Sequence, residues 1–459
     1  MIRKDKITKI LEAGVQTGAD FAELFLENTI SNAMRGMSGE IDQVSTNETF
    51  GAGIRLISGV DEVYGYTNDV SYESLLKLAT DLSKSFNGKP GTVLPLGNER
   101  PYTVNVKRRM GDVSNDERKE IIQRISKRIK DFDPKIVQGV MSLLESEQVV
   151  LIANNRGVYQ TDFRPYIRVS LSAVAKDETG MQDSYEGPGA RAGFEFLETL
   201  DLEAIADEVS EAAIRILGAE KIKPQIMTVV LNNGFGGVIF HEACGHPLEA
   251  SSVSKGLSPF AGKIGEAVAS EVVSAYDDGT IEGAWGGMNT DDEGNAPQKN
   301  LLIENGILKG YLIDYRNGKR MNMEPNGSSR RQSYKYSPTS RMNSTYIAAG
   351  KSKFEDLIKN TEYGLFAKKL GGGSVNPATG EFNFAVMEGY YIRDGKIAEP
   401  VKGAMLIGQG GEILKHVDMV ADNLTLSQGM CGAASGSIPV DVGQPAIRVR
   451  DMTVGGGGQ

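Results

Sequence analysis

Sulfur and imidazole are scarce in this chain of 459 residues, which has two cysteines, three histidines and a single tryptophan. Cys244 and Cys431 belong to no C-x-x-C motif, which argues against a disulfide framework. Each thiol is left with two roles, a thiolate metal ligand or a buried apolar group. Long apolar runs are also missing, since no stretch approaches the roughly 18 residues that a membrane-spanning helix needs. The N-terminal MIRKDKITKILEAGVQTGADF begins basic, but Lys9, Glu12 and Gln16 break its apolar positions. It therefore reads as an amphipathic helix rather than a secretory signal, and a cytoplasmic location is expected. Nor is there a basic surplus, because 50 basic residues face 60 acidic ones for a net charge of −10. Nucleic-acid binders draw affinity from phosphate neutralisation, so this balance disfavours that class. The locally basic KEIIQRISKRIK (119–130) has its charges spaced like the solvated face of a helix.

What is present fits a soluble globular protein, with 40% hydrophobic and 24% charged residues. The length suggests two domains, placed here at 1–220 and 221–459. The expected fold class is α+β: an N-terminal α+β domain, then a β-rich domain with a large antiparallel sheet or partial barrel and one motif-bearing helix. In the first half, helical periodicity at 4–18 and 71–86 flanks strand-like GAGIRLIS and EVYGYTN. A Gly- and Pro-rich excursion covers 88–111, and Ser114 and Glu117 form an S-x-x-E signature ahead of a third helix. Strands return in QVVLIANN and YIRVSLSAVAK, and a helix over 202–217 closes the half. The order hints at a duplicated α+β unit. From about 225 onward alternation dominates, with Asn305-Gly306 and Asp394-Gly395 as hairpin signals between apolar runs.

Chemistry concentrates in VIFHEACGHPLE (238–249). His241 and His246 frame Glu242 in an H-E-x-x-x-H pattern that holds two of the three histidines. Histidines at i and i+4 lie about 40° apart around an α-helix, whereas the i, i+5 spacing separates them by about 140°. One metal reaches both only if the helix rewinds as a π-bulge or unwinds at Gly245. Gly245 permits unusual dihedrals and Pro247 biases His246 away from the α region, so distortion or termination is expected between Cys244 and His246. Two neutral imidazoles plus one further ligand leave a fourth position for water, the pattern of catalytic zinc (Zn2+). Glu242 is the candidate general base for that water. Without metal, the pair would cap or line the helix. Cys244, three residues after His241 on nearly the same helix face, is one candidate third ligand. Glu249 could orient a ligand histidine. His416 reads as structural or surface, Trp285 as packing. GFGGVIF follows a strand and opens a helix but lacks the spacing of a phosphate loop.

The segments HEACGHPLE, SPTSRMNSTYIAAG (337–350), LGGGSVNPATGEFNF (370–384) and SQGMCGAASGSIPVDVGQPAIRVRDMTVGG together resemble the TldD branch of the TldD/PmbA family over nearly the whole chain. The resemblance implies a cytoplasmic zinc metallopeptidase, once described as a gyrase modulator, acting on small or unfolded polypeptides. It implies an α+β N-terminal domain, a β-rich C-terminal domain and a dimer, either with itself or with an inactive TldE/PmbA-type paralogue that lacks the metal set. By the same resemblance the ligands are His241, His246 and the Cys431 of a Cys-Gly pair, with Glu242 catalytic. Cys244 stays as the competing thiol. The alternative function is a non-catalytic, zinc-containing regulatory protein, whose structural site four protein ligands would close. A zinc amidohydrolase acting on a small molecule is a third reading.

Overall fold

Helix Lys4–Val15 buries Ile7, Ile10, Leu11 and Val15, the positions its periodicity marks as one face. This and all that follows come from a computed structural model, which describes every residue except 1, 103, 105, 376–379 and 457–459. Three antiparallel strands come next, Phe21–Met37, Glu40–Ser58 and Asp61–Thr67. Helix Tyr72–Ser83 follows, capped by the Ser71 hydroxyl, which accepts from the Ser74 N–H. The order then repeats: helix Asn115–Asp131, strands Ile136–Asn154, Tyr159–Asp177 and Gly180–Glu186, helix Leu202–Leu217. Each triplet forms its own meander, and the two join where Phe21–Met37 pairs antiparallel with Ile136–Asn154. The duplicated unit hinted at by the sequence is thus visible in the topology. Only half of the expected capping box closes. Ser114 accepts from Glu117 N–H at 3.1 Å, but the Glu117 carboxylate turns to Arg108. The 88–111 excursion is pinned to turns of the sheet by Leu94 N–H to Asn155 O and Gly97 N–H to Gly157 O.

In the second half the expected partial barrel is a closed one. Among the described residues, strands Gln225–Leu231, Tyr363–Val375, Glu381–Arg393, Ala404–Gln409 and Ile447–Gly456 form a ring. It is closed because Tyr363–Val375 pairs with Gln225–Leu231 on one side and Glu381–Arg393 on the other. The first of these pairings is parallel, a mixture that alternation alone does not reveal. Both hairpin signals hold: Asn305 and Gly306 have φ of 47° and 81°, Asp394 and Gly395 of 50° and 70°. Short helices at Tyr315–Met321 and Phe354–Lys359 accompany the motif-bearing one. A second sheet carries Ala275–Asp278, Ser344–Ile347 and Gly436–Gln444, with Thr425–Ala433 at its edge. A buried ionic lattice joins the two halves. Arg55 meets Glu23 at 3.1 Å and Glu293 at 2.6 Å, Arg164 meets Asp162 and Asp292 at 2.8 Å each, and Arg331 reaches Glu23.

Candidate metal centre

Strand Gln225–Leu231 feeds a helical segment through Gly234, whose φ of +73° suits glycine. Gly237 then lies against strand Gly436–Gln444 so closely that a Cβ there would meet Gly443 backbone atoms at 2.5–2.6 Å. The glycines of GFGG thus serve close packing. Over His241–Gly245 the winding widens, and His246 N–H donates to His241 O, an i→i+5 bond. This turn stacks residues five apart and carries both imidazoles to one side. Of the two routes by which distortion or termination was expected, the helix takes the π turn and does not unwind at Gly245. Gly245 (φ −58°, ψ −57°) and His246 (φ −58°, ψ −42°) are helical despite Pro247, and the chain leaves the helix only at Glu249. The extra residue is absorbed inside the helix. Gly245 supplies space, since a Cβ would come within 2.1 Å of Met342 Sδ.

Cys431 approaches from strand Thr425–Ala433, opposite Ile438 of Gly436–Gln444. Trp285 Nε1 donates to Gly429 O at 2.8 Å and an Arg168 guanidinium N–H to Gln428 O at 3.1 Å, fixing this edge strand just before the cysteine. Cys431 Sγ lies 3.3 Å from His241 Nε2 and 3.2 Å from His246 Nε2, and the three donor atoms fall within 4.8 Å of one another. The two rings are nearly perpendicular, at 82°. Burial alone would push the Cys431 thiol up, but the two imidazoles bring it down to about 4. Burial pulls His246 down, yet Glu249 and Cys431 hold it well above its ordinary value.

Around this centre, Glu249 Oε1 sits 3.1 Å from His246 Nδ1, where the sequence suggested an orienting carboxylate. Glu242 Oε2 is 3.9 Å from His246 Nε2. Cys244 is not brought to the cluster; its thiol donates to Gly410 O at 3.6 Å, and complete burial raises its pKa. His416 is half-exposed, 3.8 Å from Asp451. Trp285 is packed edge-on to Tyr166 as well as bonded to Gly429. Arg341, within SPTSR, is a functional residue that no motif marks in the sequence. Fully buried, it donates to Cys431 O, to Ser435 Oγ and Gly436 O, and its Nε lies 3.9 Å from Glu249 Oε1. It therefore touches the hairpin that presents the thiol and faces the carboxylate behind His246. A single arginine in a β-rich sequence gives no spacing signal by which to find this.

Family models described as PmbA/TldA metallopeptidase domain 1, central domain and C-terminal domain match residues 22–85, 108–217 and 224–456. The chain belongs to the PmbA/TldD family. Within this family it is 35% identical over 451 residues to a metalloprotease TldD homolog of Buchnera aphidicola, covering 95% of this chain and 93% of that protein. A zinc metalloprotease TldD homolog of Saccharolobus solfataricus is 22% identical over 458 residues, covering 98% and 99%. Two solved structures share the fold. A protein of Thermotoga maritima described as a candidate modulator of a DNA gyrase matches with a TM-score of 0.79 at 20% identity, over 95% of this chain and 96% of that one. TldE of Thermococcus kodakarensis matches at 0.77 and 20%, over 98% and 100%. Among the described residues no helix is long and apolar enough to cross a membrane.

Proposed function

We propose that this chain is a zinc-dependent peptidase that hydrolyses peptide bonds in small or unfolded polypeptides. In this reading His241, His246 and Cys431 hold the metal and Glu242 is the general base. The supporting observation is the convergence of three donors beside a cavity of about 700 Å³ that Glu242 and His246 both line. The donor set fits zinc. Bonds of about 2.3 Å to sulfur and 2.0–2.1 Å to nitrogen at tetrahedral angles separate S from N by about 3.6 Å, a few tenths more than the spacings here. Two imidazoles and a thiolate leave one position open, as in catalytic sites.

Bound there, zinc lowers the pKa of water toward 7 and polarises a carbonyl. Glu242, which makes no other polar contact among the described residues, takes the proton of the attacking water and returns it to the leaving amine. Glu249 fixes the ring of His246 through Nδ1, leaving Nε2 for the metal. An extended peptide pairing with the strand edge would be read through its backbone, which suits unfolded substrates. Because Arg168 and Trp285 occupy the carbonyls of Gln428 and Gly429, and Gln332 N–H takes that of Ser435 in the turn, the stretch left for such pairing is Gly432 and Ala433, which line the cavity.

The regulatory alternative needs a fourth protein ligand, and Cys244, directed to Gly410, does not supply one. Pairing with a TldE-type paralogue is the assembly to test against self-association, given the shared fold. Glu242→Gln separates the functional readings. It should bind zinc as the parent does yet lose about a hundredfold or more in peptide cleavage. Undiminished cleavage of an unstructured peptide by this variant would remove Glu242 from the mechanism.

A further inference from the structure

The cavity beside the metal centre is lined by seven residues of formal charge besides His246, and most are already paired. Glu249 faces His246 and Arg341. Asp314 accepts from the N–H and Nδ2 of Asn317 and from Ser340 N–H. Glu62 accepts from Ser337 Oγ and lies 3.5 Å from Arg316. Among the described residues Lys255 and Arg320 have no opposite carboxylate, and Glu242 has only His246, 3.9 Å from its Oε2.

The two cations share one wall. Arg320 Nη1 donates to Asn317 Oδ1 at 2.9 Å, and the same oxygen accepts from Ser254 Oγ at 3.0 Å. Asn317 is itself buried and tied to Asp314, so a rigid amide holds Arg320 next to the residue preceding Lys255. One guanidinium nitrogen is thereby fixed, and the rest of the fork faces a cavity whose volume of about 700 Å³ matches a short peptide segment rather than a folded domain. A guanidinium fork matches a carboxylate in geometry as well as charge. Glu242 repels the same group, so a substrate carboxylate is driven to the Arg320 wall.

We propose that Arg320 and Lys255 form a subsite for a carboxylate of the bound peptide, either its C-terminus or an Asp or Glu side chain. The inference rests on the peptidase reading of this cavity and adds to it a substrate class, peptides with a negative charge near the cleaved bond.

The test is binding of labelled peptides to the zinc-loaded Glu242→Gln protein, measured by fluorescence anisotropy at low salt. The peptides form a set in which the C-terminal carboxylate is replaced by the amide, or an internal Glu by Gln. At least one carboxylate form should bind about tenfold tighter than its neutral counterpart, the scale of a charge-assisted hydrogen bond. Which replacement abolishes the preference identifies the source of the carboxylate. Arg320→Met, and separately the exposed Lys255→Met, should shrink that ratio, the pair bringing it to within about twofold, with zinc content unchanged. Rescue of part of the preference by Arg320→Lys would exclude a merely structural effect. Equal affinity for charged and neutral forms, or a preference that survives both substitutions, overturns the subsite. If the parent protein cleaves none of the peptides while the binding preference persists, the peptidase reading fails and the subsite stands.

Discussion

Cys431 ionises where Cys244 does not because their sulfurs face different atoms, two imidazole nitrogens at 3.2 and 3.3 Å in one case and the Gly410 carbonyl at 3.6 Å in the other. Cys431→Ser should therefore abolish stoichiometric zinc binding. Cys244→Ser should keep it and cost about 1–2 kcal/mol of stability, as a hydroxyl replaces a thiol in an apolar core. Metal analysis with thermal melts reads both. The pair's ionisation also sets how zinc enters. With Cys431 lowered to about 4 and His246 raised, the metal-free centre at neutral pH holds a thiolate beside an imidazolium. Zinc then has to displace the His246 proton and not one from sulfur. Calorimetry at pH 7 in buffers of different ionisation heat should report release of about one proton, and affinity should climb as pH rises through the raised His246 value. Arg341 acts on the same centre from behind. Replacing it with Met should weaken zinc binding about 10–100-fold, the scale for partners that hold ligands in place. Cobalt substituted for zinc would register the same change as a weakened thiolate charge-transfer band.

At the scale of the element, the metal site depends on a helix that is wide in the right place and pressed against two neighbours. Gly237→Ala sets a methyl against the Gly443 backbone, which cannot rotate away, whereas Gly245→Ala meets the side chain of buried Met342. The first should cost more stability than the second, each in the range of about 1–3 kcal/mol for overpacking, and Met342→Ala should relieve only the second. Denaturant midpoints of the parent, the three single variants and each glycine variant combined with Met342→Ala would check that order. This helix also shows how far the sequence could be read. The i, i+5 spacing demanded either a π turn or an unwound end, and Gly245 with Pro247 favoured the latter. Local propensity lost to packing, since Met342 and strand Gly436–Gln444 hold the segment helical through Leu248. Hairpins at Asn305-Gly306 and Asp394-Gly395 were legible because two residues with positive φ are a local requirement. The closure of the barrel was not, for it depends on a parallel pairing between residues 228–231 and 364–367, more than a hundred positions apart. Both histidines and the glutamate of the motif stood out by rarity. Cys431 entered by family resemblance, and Arg341 had no signature, because two of its partners are backbone carbonyls that any sequence supplies and the others, Ser435 and Glu249, lie about 90 positions away on either side.

At the scale of the molecule, the two halves are joined through charges hidden from water. Arg55 of the N-terminal sheet ends on Glu293, Arg331 of the C-terminal half ends on Glu23, and Arg164 ends on Asp292. Removing one member leaves its partner buried and uncompensated, so Arg55→Met should cost about 3–5 kcal/mol. Because the lattice couples both halves, the loss should appear as a lower midpoint of a single transition and not as early melting of one half. The lattice also carries a pH dependence whose sign can be worked out. Burial raises Glu293 to about 8, opposed by Arg55 and reinforced by Asp314, Asp291 and Glu23. A free glutamate titrates near 4.3, so the folded state holds this proton more tightly than the unfolded chain. Its contribution is complete below the unfolded value and is lost as pH rises from about 5 through about 8. Metal-free protein should therefore have a lower denaturant midpoint at pH 8.5 than at pH 6. Glu293→Gln, neutral at every pH and still able to accept from Arg55, should flatten that slope. If the variant keeps the full alkaline decline, the titrating group lies elsewhere in the lattice.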